Sequence, residues 1–201
     1  FDRINVPSVL TTLVTDELDF PNLSMVGVDD RAAAYTAVDY LIRQGHRKIA
    51  VLGGPVTSYP SLMRRQGAQQ AMEDAGIVFN DKLYGLSNYD FESAYHAMNS
   101  LLARRAECTA LFAMSDVIAF GAIRALVSAG FRVPEDVSVI GFDGITMSRY
   151  CVPVMTTIVQ PSEQIALQSI ELLVRQIEHG SSAQTVTLQP ELQQGESVRA
   201  I

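Results

Sequence analysis

The chain has 201 residues, enough for one large domain or two small ones, and 48% of them are hydrophobic against 18% charged. This balance is typical of a globular protein with a buried core, and no apolar run is long enough to cross a bilayer. Fifteen basic and 22 acidic residues leave a formal charge of −7, so this chain lacks the basic surplus with which proteins bind DNA.

The N-terminal half alternates between strand-like and helix-like patterns. The opening, FDRINVPSVL, has no Met and no secretory signal, which predicts a chain cut from a longer protein. The pattern then predicts a strand at 8–13, a helix at 31–45, a strand at 48–54 ending in glycines, and a helix at 61–76 that starts at a Ser and stops at a Gly.

The alternation continues to the end of the chain. The longest predicted helix, 162–180, is expected to face inward through Ala166, Ile170, Leu173 and Ile177. The other predicted elements of this half are strands at 82–87, 109–115, 137–143, 156–160 and 185–188 and helices at 91–105 and 116–130, with a polar tail at the end.

This order of elements predicts an α/β fold. The strands are apolar runs and not alternating stripes, which indicates parallel sheets covered on both faces. Such sheets bind ligands beyond the carboxyl ends of their strands. The residues that follow predicted strand ends are Gly53, Gly54, Tyr89, Ser115, Asp116 and Asp143.

Motifs for catalysis, cofactors and metals are missing from the sequence. There is no GxGxxG, no GK[ST] phosphate loop and no GxSxG elbow. The two cysteines and three histidines are scattered, without the spacing of a zinc site. We therefore expect a protein that is not an enzyme and that uses no cofactor and no metal.

Several polar residues at the strand ends allow two interpretations. Asp143 either caps the loop that follows it or binds a ligand. Asp116 is either the N-cap of its helix or one of a carboxylate pair. Arg64 alone suggests a solvated helix residue and Tyr89 a packed loop residue, but together with Asp143 they form a set suited to a polyhydroxy ligand.

Longer stretches resemble a known family. The segments QGHRKIAVLGGP (44–55), RVPEDVSVIGFD (132–143) and PVMTTIVQP (153–161) are similar to the effector-binding core of the lactose-repressor/galactose-repressor family. The resemblance implies a periplasmic-binding-protein-like fold of two Rossmann-like lobes with parallel sheets. It assigns 30–158 and 190–201 to the C-terminal lobe, and 1–29 and 160–188 to an incomplete N-terminal lobe.

The resemblance also implies site residues around a small effector, such as a sugar, sugar phosphate or purine, in the cleft between the lobes. Arg64 takes the place of the family's effector-binding arginine and Asp143 that of its aspartate. Tyr89 matches a ring-stacking aromatic, with Phe91 as a substitute. The other implied contacts are Ser58, Ser61, Ser115 and Thr12; Ser115 departs from the family's asparagine, and Gly144 departs from a frequent acidic residue.

The implied function is ligand sensing in a cytoplasmic bacterial transcriptional regulator, expected to be a repressor. Operator DNA would be bound only through a headpiece absent from this chain, and no membrane partner is expected. We expect a homodimer with the helix at 117–129 in its interface, since Gly121 permits close approach. The alternatives are a sugar solute-binding protein of a transport system, with the same fold, and an enzyme.

Overall fold

The computed structural model describes residues 6–15, 18, 20–104 and 107–201. Strands and helices alternate, which confirms the α/β class. In chain order they are β1 (Ser8–Thr11), β2 (Leu23–Val28), α1 (Asp30–Arg43), β3 (Ile49–Gly53), α2 (Tyr59–Asp74), β4 (Tyr84–Leu86), α3 (Phe91–Ala103), β5 (Ala110–Ala113), α4 (Asp116–Ser128), β6 (Ser138–Asp143), β7 (Thr156–Val159), α5 (Ser162–His179), β8 (Thr185–Leu188) and β9 (Glu191–Gln193).

The chain divides into two compact units. The first comprises Phe1–Asp29 and Gln160–Glu191, and the second Asp30–Val159 and Leu192–Ile201. That the first unit is an incomplete lobe stays a prediction.

The second unit is built on a six-stranded sheet in the order β4-β3-β5-β6-β7-β9. The pairs β3–β4, β3–β5, β5–β6 and β6–β7 are all parallel. Every residue of β3 and β5 is buried, because helices cover the sheet and leave no solvent-facing side to these strands. This explains the continuous apolar runs in the sequence and confirms the predicted parallel sheet.

Helices cover this sheet in two pairs, α1 with α2 and α3 with α4. Strand β4 lies on one side of β3, and the chain then crosses to β5 on the other side. Right-handed crossovers in opposite directions place α2 and α3 on opposite faces. The point between β3 and β5 is therefore a topological switch point, where α/β sheets form ligand sites.

Each helix pair approaches closely at a glycine. A Cβ on Gly67 of α2 would collide with the Arg31 carbonyl of α1, and one on Gly121 of α4 with the Phe91 carbonyl of α3. The expectation that Gly121 serves a dimer interface is therefore wrong, because α3 of the same chain already covers it.

The last residues of the chain return to the second unit. The Ser197 hydroxyl donates to the Val139 carbonyl at 2.6 Å and accepts from the backbone N–H of Thr156 at 2.8 Å. His46 is buried between the Thr109 hydroxyl and the Arg199 carbonyl, and this burial lowers its pKa. The tail has a polar pattern, and the family resemblance assigned residues 190–201 to the C-terminal lobe. In the structure it is part of the sheet of the second unit and its surroundings.

The first unit has a smaller sheet, in the order β1-β2-β8, with both pairings parallel. Helix α5 packs on it with Ile165 and Leu172 buried. The predicted inward face was wrong: Ala166 is exposed, as are Ile170 and Ile177 at 62% and 64%. The helix carries two apolar stripes, and the sheet buries the other one.

Candidate functional site

Arg64, in the first half of α2, lies buried where four elements meet. Its Nε donates to Asp30 Oδ1 at 2.7 Å, and its Nη1 donates to the Met114 carbonyl. The guanidinium carbon lies 3.7 Å from the centre of the Phe142 ring, a cation–π distance. The interpretation of Arg64 as a solvated helix residue is wrong, since only 6% of it is exposed.

Asp143 is the last residue of β6, and its carboxylate meets Arg64. Arg64 Nη1 and Asp143 Oδ1 are 3.5 Å apart, and 28% of the Asp143 side chain is exposed. The backbone of Asp143 has a φ of 107°, which non-glycine residues rarely adopt. Conformations of this kind cost on the order of 1–3 kcal/mol and cluster at functional sites. The structure thus brings the two principal predicted residues together.

Asp116 holds the loop that follows Asp143. Its carboxylate accepts from the Ile145 N–H at 2.8 Å and from the Thr157 hydroxyl at 2.6 Å. A Cβ at position 141 would collide with this carboxylate, which explains the glycine in the middle of β6. Burial raises the Asp116 pKa to about 6, and the charge of Asp143 adds to the rise. Loop capping at this strand end is therefore a role of Asp116.

The three predicted serines sit at helix starts of the same sheet edge. Ser58 caps α2 and accepts from the Ser61 N–H, so this helix begins two residues before the predicted start. The Ser61 hydroxyl donates to the Gly54 carbonyl at 3.2 Å. Ser115, and not Asp116, is the N-cap of α4 and accepts from the Ile118 N–H at 3.1 Å. These hydroxyls organise the site, and their contact with an effector stays a prediction.

Tyr89 lies against the glycine pair at the end of β3. A Cβ on Gly54 would collide with its ring, and one on Gly53 would lie 2.8 Å from the Tyr84 hydroxyl. The Tyr89 hydroxyl is buried and has no hydrogen-bond partner among the described residues. Its backbone φ is 60°. Gly54 thus allows the Tyr89 ring to approach the strand end, and Gly53 allows the Tyr84 hydroxyl to do so. Phe91, the proposed substitute for Tyr89, is 47% exposed.

Thr12 belongs to the first unit, where it follows β1. Its N–H donates to the Val26 carbonyl at 2.7 Å, and its φ is 64°. Thr12, Tyr89 and Asp143 are the three non-glycine residues with positive φ in the described part of the chain. All three had been predicted as effector contacts from the sequence.

The sequence interpretation missed Asp30, which binds Arg64 more closely than Asp143 does. Asp30 begins α1, two residues after β2 ends at Val28. The rule that singled out Asp116 and Asp143, a carboxylate at a strand end, applies equally to Asp30. The sequence hides this strand end, because β2, LSMVGV, contains a Ser and a Gly and so lacks the continuous apolar run of the other buried strands.

Across the described ranges, no cluster of three or more His, Cys, Asp and Glu side chains is suited to a metal ion. Within the same ranges, no helix is long and apolar enough to cross a membrane.

Residues 38–198 match the family of periplasmic binding protein-like domains. The chain is 37% identical over 198 residues to the HTH-type transcriptional regulator MalR of Clostridium butyricum, covering 98% of the chain and 59% of that protein. It is 35% identical over 181 residues to the HTH-type transcriptional repressor PurR of Histophilus somni, covering 90% of the chain and 54% of that protein. The chain thus spans little more than half the length of these relatives.

Solved structures of transcriptional regulators have the same fold. A complex of the regulator CelR with cellobiose superposes with a TM-score of 0.84 at 33% identity, over 90% of this chain and 56% of that one. A LacI-family regulator from Enterococcus faecium with bound ribose superposes with a TM-score of 0.82 at 28% identity, over 89% and 66%.

Proposed function

This chain belongs to the periplasmic-binding-protein-like domains of the LacI family of transcriptional regulators, and we propose that it is the effector-sensing part of a bacterial repressor. The proposal rests mainly on the group of charged side chains formed by Arg64, Asp30, Asp143 and Asp116, the Arg64 cluster. A buried guanidinium at the switch point of a parallel sheet contacts the partly exposed carboxylate of Asp143. Both groups are held by the fold before any ligand arrives.

The chemistry of the cluster suits hydroxyl groups. Asp143 accepts from an effector hydroxyl and Arg64 donates to one, and such charge-assisted hydrogen bonds contribute roughly 1.5–3 kcal/mol each. The Tyr89 ring offers an apolar face for a sugar. Cellobiose and ribose, bound by the similar structures, are the ligand class to test first.

In the complete protein, effector binding would shift the balance between two conformations of a dimer and so change its affinity for operator DNA. Operator binding would belong to an HTH segment, for which the HTH-type relatives are named. The homodimer and a cytoplasmic location are parts of this proposal. The HTH-type relatives favour it over a transport solute-binding protein.

A thermal-shift screen followed by calorimetry tests the proposal. The ligands are neutral sugars, their phosphates and purines, added to the 201-residue chain and to a longer version carrying the HTH segment. We expect at least one ligand to raise the melting temperature, and Asp143→Asn to weaken its binding. Asp81→Asn is the matched control, because Asp81 is an exposed carboxylate that pairs with Arg65 outside the cluster. No stabilising ligand in either protein would contradict the proposal.

A further inference from the structure

The Asp30–Arg64 ion pair gives the cluster an unusual charge balance. The side chains are 5% and 7% exposed, and their atoms approach to 2.7 Å, against 3.5 Å for Arg64 and Asp143. The positive charge of Arg64 is therefore already matched by a buried carboxylate on the protein side. An effector would meet a guanidinium that has a partner, not an unpaired cation.

Asp30 also sets the direction of the remaining donors. The guanidinium is planar, so holding Nε on Asp30 and Nη1 on the Met114 carbonyl fixes the plane and the position of Nη2. Phe142 supports that plane from one side. The Nη2 group has no hydrogen bond to the described part of the chain, which leaves its N–H groups as directed donors.

The other charges of the cluster are negative. Besides Asp30, the carboxylates of Asp143 and Asp116 lie at the same edge, and they interact with each other electrostatically. One guanidinium thus stands against three carboxylates. A phosphate group needs surplus positive charge or several free N–H donors, and this cluster offers too little of either. An uncharged hydroxyl can accept from Nη2 and donate to Asp143 without bringing a further negative charge next to the three carboxylates.

We propose that Asp30 is the positioning and specificity residue of this site, orienting Arg64 and selecting uncharged, hydroxyl-rich effectors over phosphorylated ones. The proposal rests on the proposed effector-binding function and narrows its ligand class.

The test follows the Arg64 Nε–H signal by NMR while inorganic phosphate is added at constant ionic strength. In the wild-type chain the signal should stay unshifted at roughly 10 mM phosphate, which corresponds to a dissociation constant well above about 10 mM. Asp30→Asn keeps an oxygen for Arg64 Nε but removes the charge, so phosphate should bind on the order of tenfold more tightly. Asp136→Asn removes an exposed carboxylate elsewhere and should leave phosphate binding unchanged.

The role of Asp30 in orienting Arg64 is tested by a separate measurement. Asp30→Ala should broaden or lose the Arg64 Nε–H signal, and Asp30→Asn should restore it, which a purely electrostatic role would not require. If Asp30→Asn fails to fold, the wild-type titration still decides, because saturable phosphate binding at Arg64 would overturn the proposal. Equal phosphate affinity of wild type and Asp30→Asn would overturn it as well.

A comparison of neutral sugars with their phosphates distinguishes the selectivity proposed for Asp30 from the effector-sensing function on which it rests. Ribose and ribose 5-phosphate, and glucose and glucose 6-phosphate, are compared by calorimetry on the wild-type chain. Preference for a neutral member supports the selectivity, and preference for a phosphorylated member contradicts it while leaving effector sensing intact. Failure of every neutral sugar and purine, with phosphate also excluded from Arg64, counts against effector sensing itself.

Discussion

The two units differ in how much apolar surface they bury. In the described residues, the second unit holds a connected core of 31 buried hydrophobic side chains. Among its described residues, the first unit holds six buried hydrophobic side chains, of which only Val26, Val28, Ile165 and Leu172 form a connected cluster. Both use parallel strands and amphipathic helices. Within the described ranges, four helices pack on the sheet of the second unit and one on that of the first. Similar local sequences therefore reach very different degrees of burial.

Helix α5 shows the consequence most directly. Its exposed stripe has the 3-4-3 spacing of a helix that packs against another element. The exposed side chains are Leu167, Ile170, Val174 and Ile177. Local periodicity therefore cannot say which of two apolar faces a helix buries.

The largest expected difference between the two units is in the unfolding free energy lost when one buried leucine in each is changed to alanine. Leu111→Ala, in the centre of β5 and 0% exposed, should cost about 3–5 kcal/mol of unfolding free energy, because it leaves a closed cavity. Leu172→Ala, in the small core of the first unit, should cost only about 2–3 kcal/mol, at the low end of the range for such changes, since solvent and neighbours can fill the space. Urea unfolding followed by circular dichroism measures both, as the chain has no tryptophan. Equal costs would show that the two cores are equally tight.

Hydrogen exchange compares the units without mutation. The backbone amides of α5 should exchange roughly a hundredfold faster than those of α4, a difference of about 3 kcal/mol in opening free energy. The physical reason is that α4 packs against α3 and buries Ile118, Ala122 and Leu126, while most of α5 faces solvent. Equal protection of the two helices would contradict the prediction that the first unit is the less stable one.

Buried Asp116 makes the second unit sensitive to pH. Burial raises its pKa from 3.8 to about 6, so the folded chain binds its proton more tightly than the unfolded chain does. This carboxylate should therefore lower stability as pH rises from about 4 to 6, by on the order of 3 kcal/mol, and the loss is complete above pH 6.

Asp116→Asn should remove that dependence, so its stability relative to wild type should increase from pH 4 to 6 in urea unfolding. Asp136→Asn is the control, because hydrogen bonds from Arg132 hold the Asp136 pKa at about 2. Its difference from wild type should be constant between pH 4 and 6. An Asp116→Asn difference that is also constant would show that the carboxylate titrates normally.

The smallest effects concern the ligand. Asp143→Ala should weaken binding of an identified effector by roughly 1.5–3 kcal/mol, the range for a charged hydrogen-bonding group. Thr12→Gly, which suits the positive φ of that residue, should weaken it by about 0.5–1.5 kcal/mol, the range for a neutral one. Calorimetry measures both. A larger loss for Thr12→Gly would place the main binding determinant in the first unit.

The sequence by itself determined the class of fold and singled out the principal candidate residues of the site. Apolar runs alternating with helical patterns specify a parallel sheet, because only strands covered on both faces lose their polar alternation. The family motifs then located Arg64 and Asp143. Sequence patterns failed at β2, where Ser24 and Gly27 interrupt the apolar run, and at β9, a three-residue strand within the polar tail.

Only the tertiary structure decided what each polar group does. Asp30 and Arg64 are 34 residues apart, and Asp116 and Thr157 are 41 apart, so their pairing depends on which strands lie side by side. Long-range packing likewise decides that Gly121 lies against α3 of the same chain. It also decides which face of α5 is buried. Local chemistry limits the roles a residue can take, but the choice among them depends on the neighbours that long-range packing brings to it.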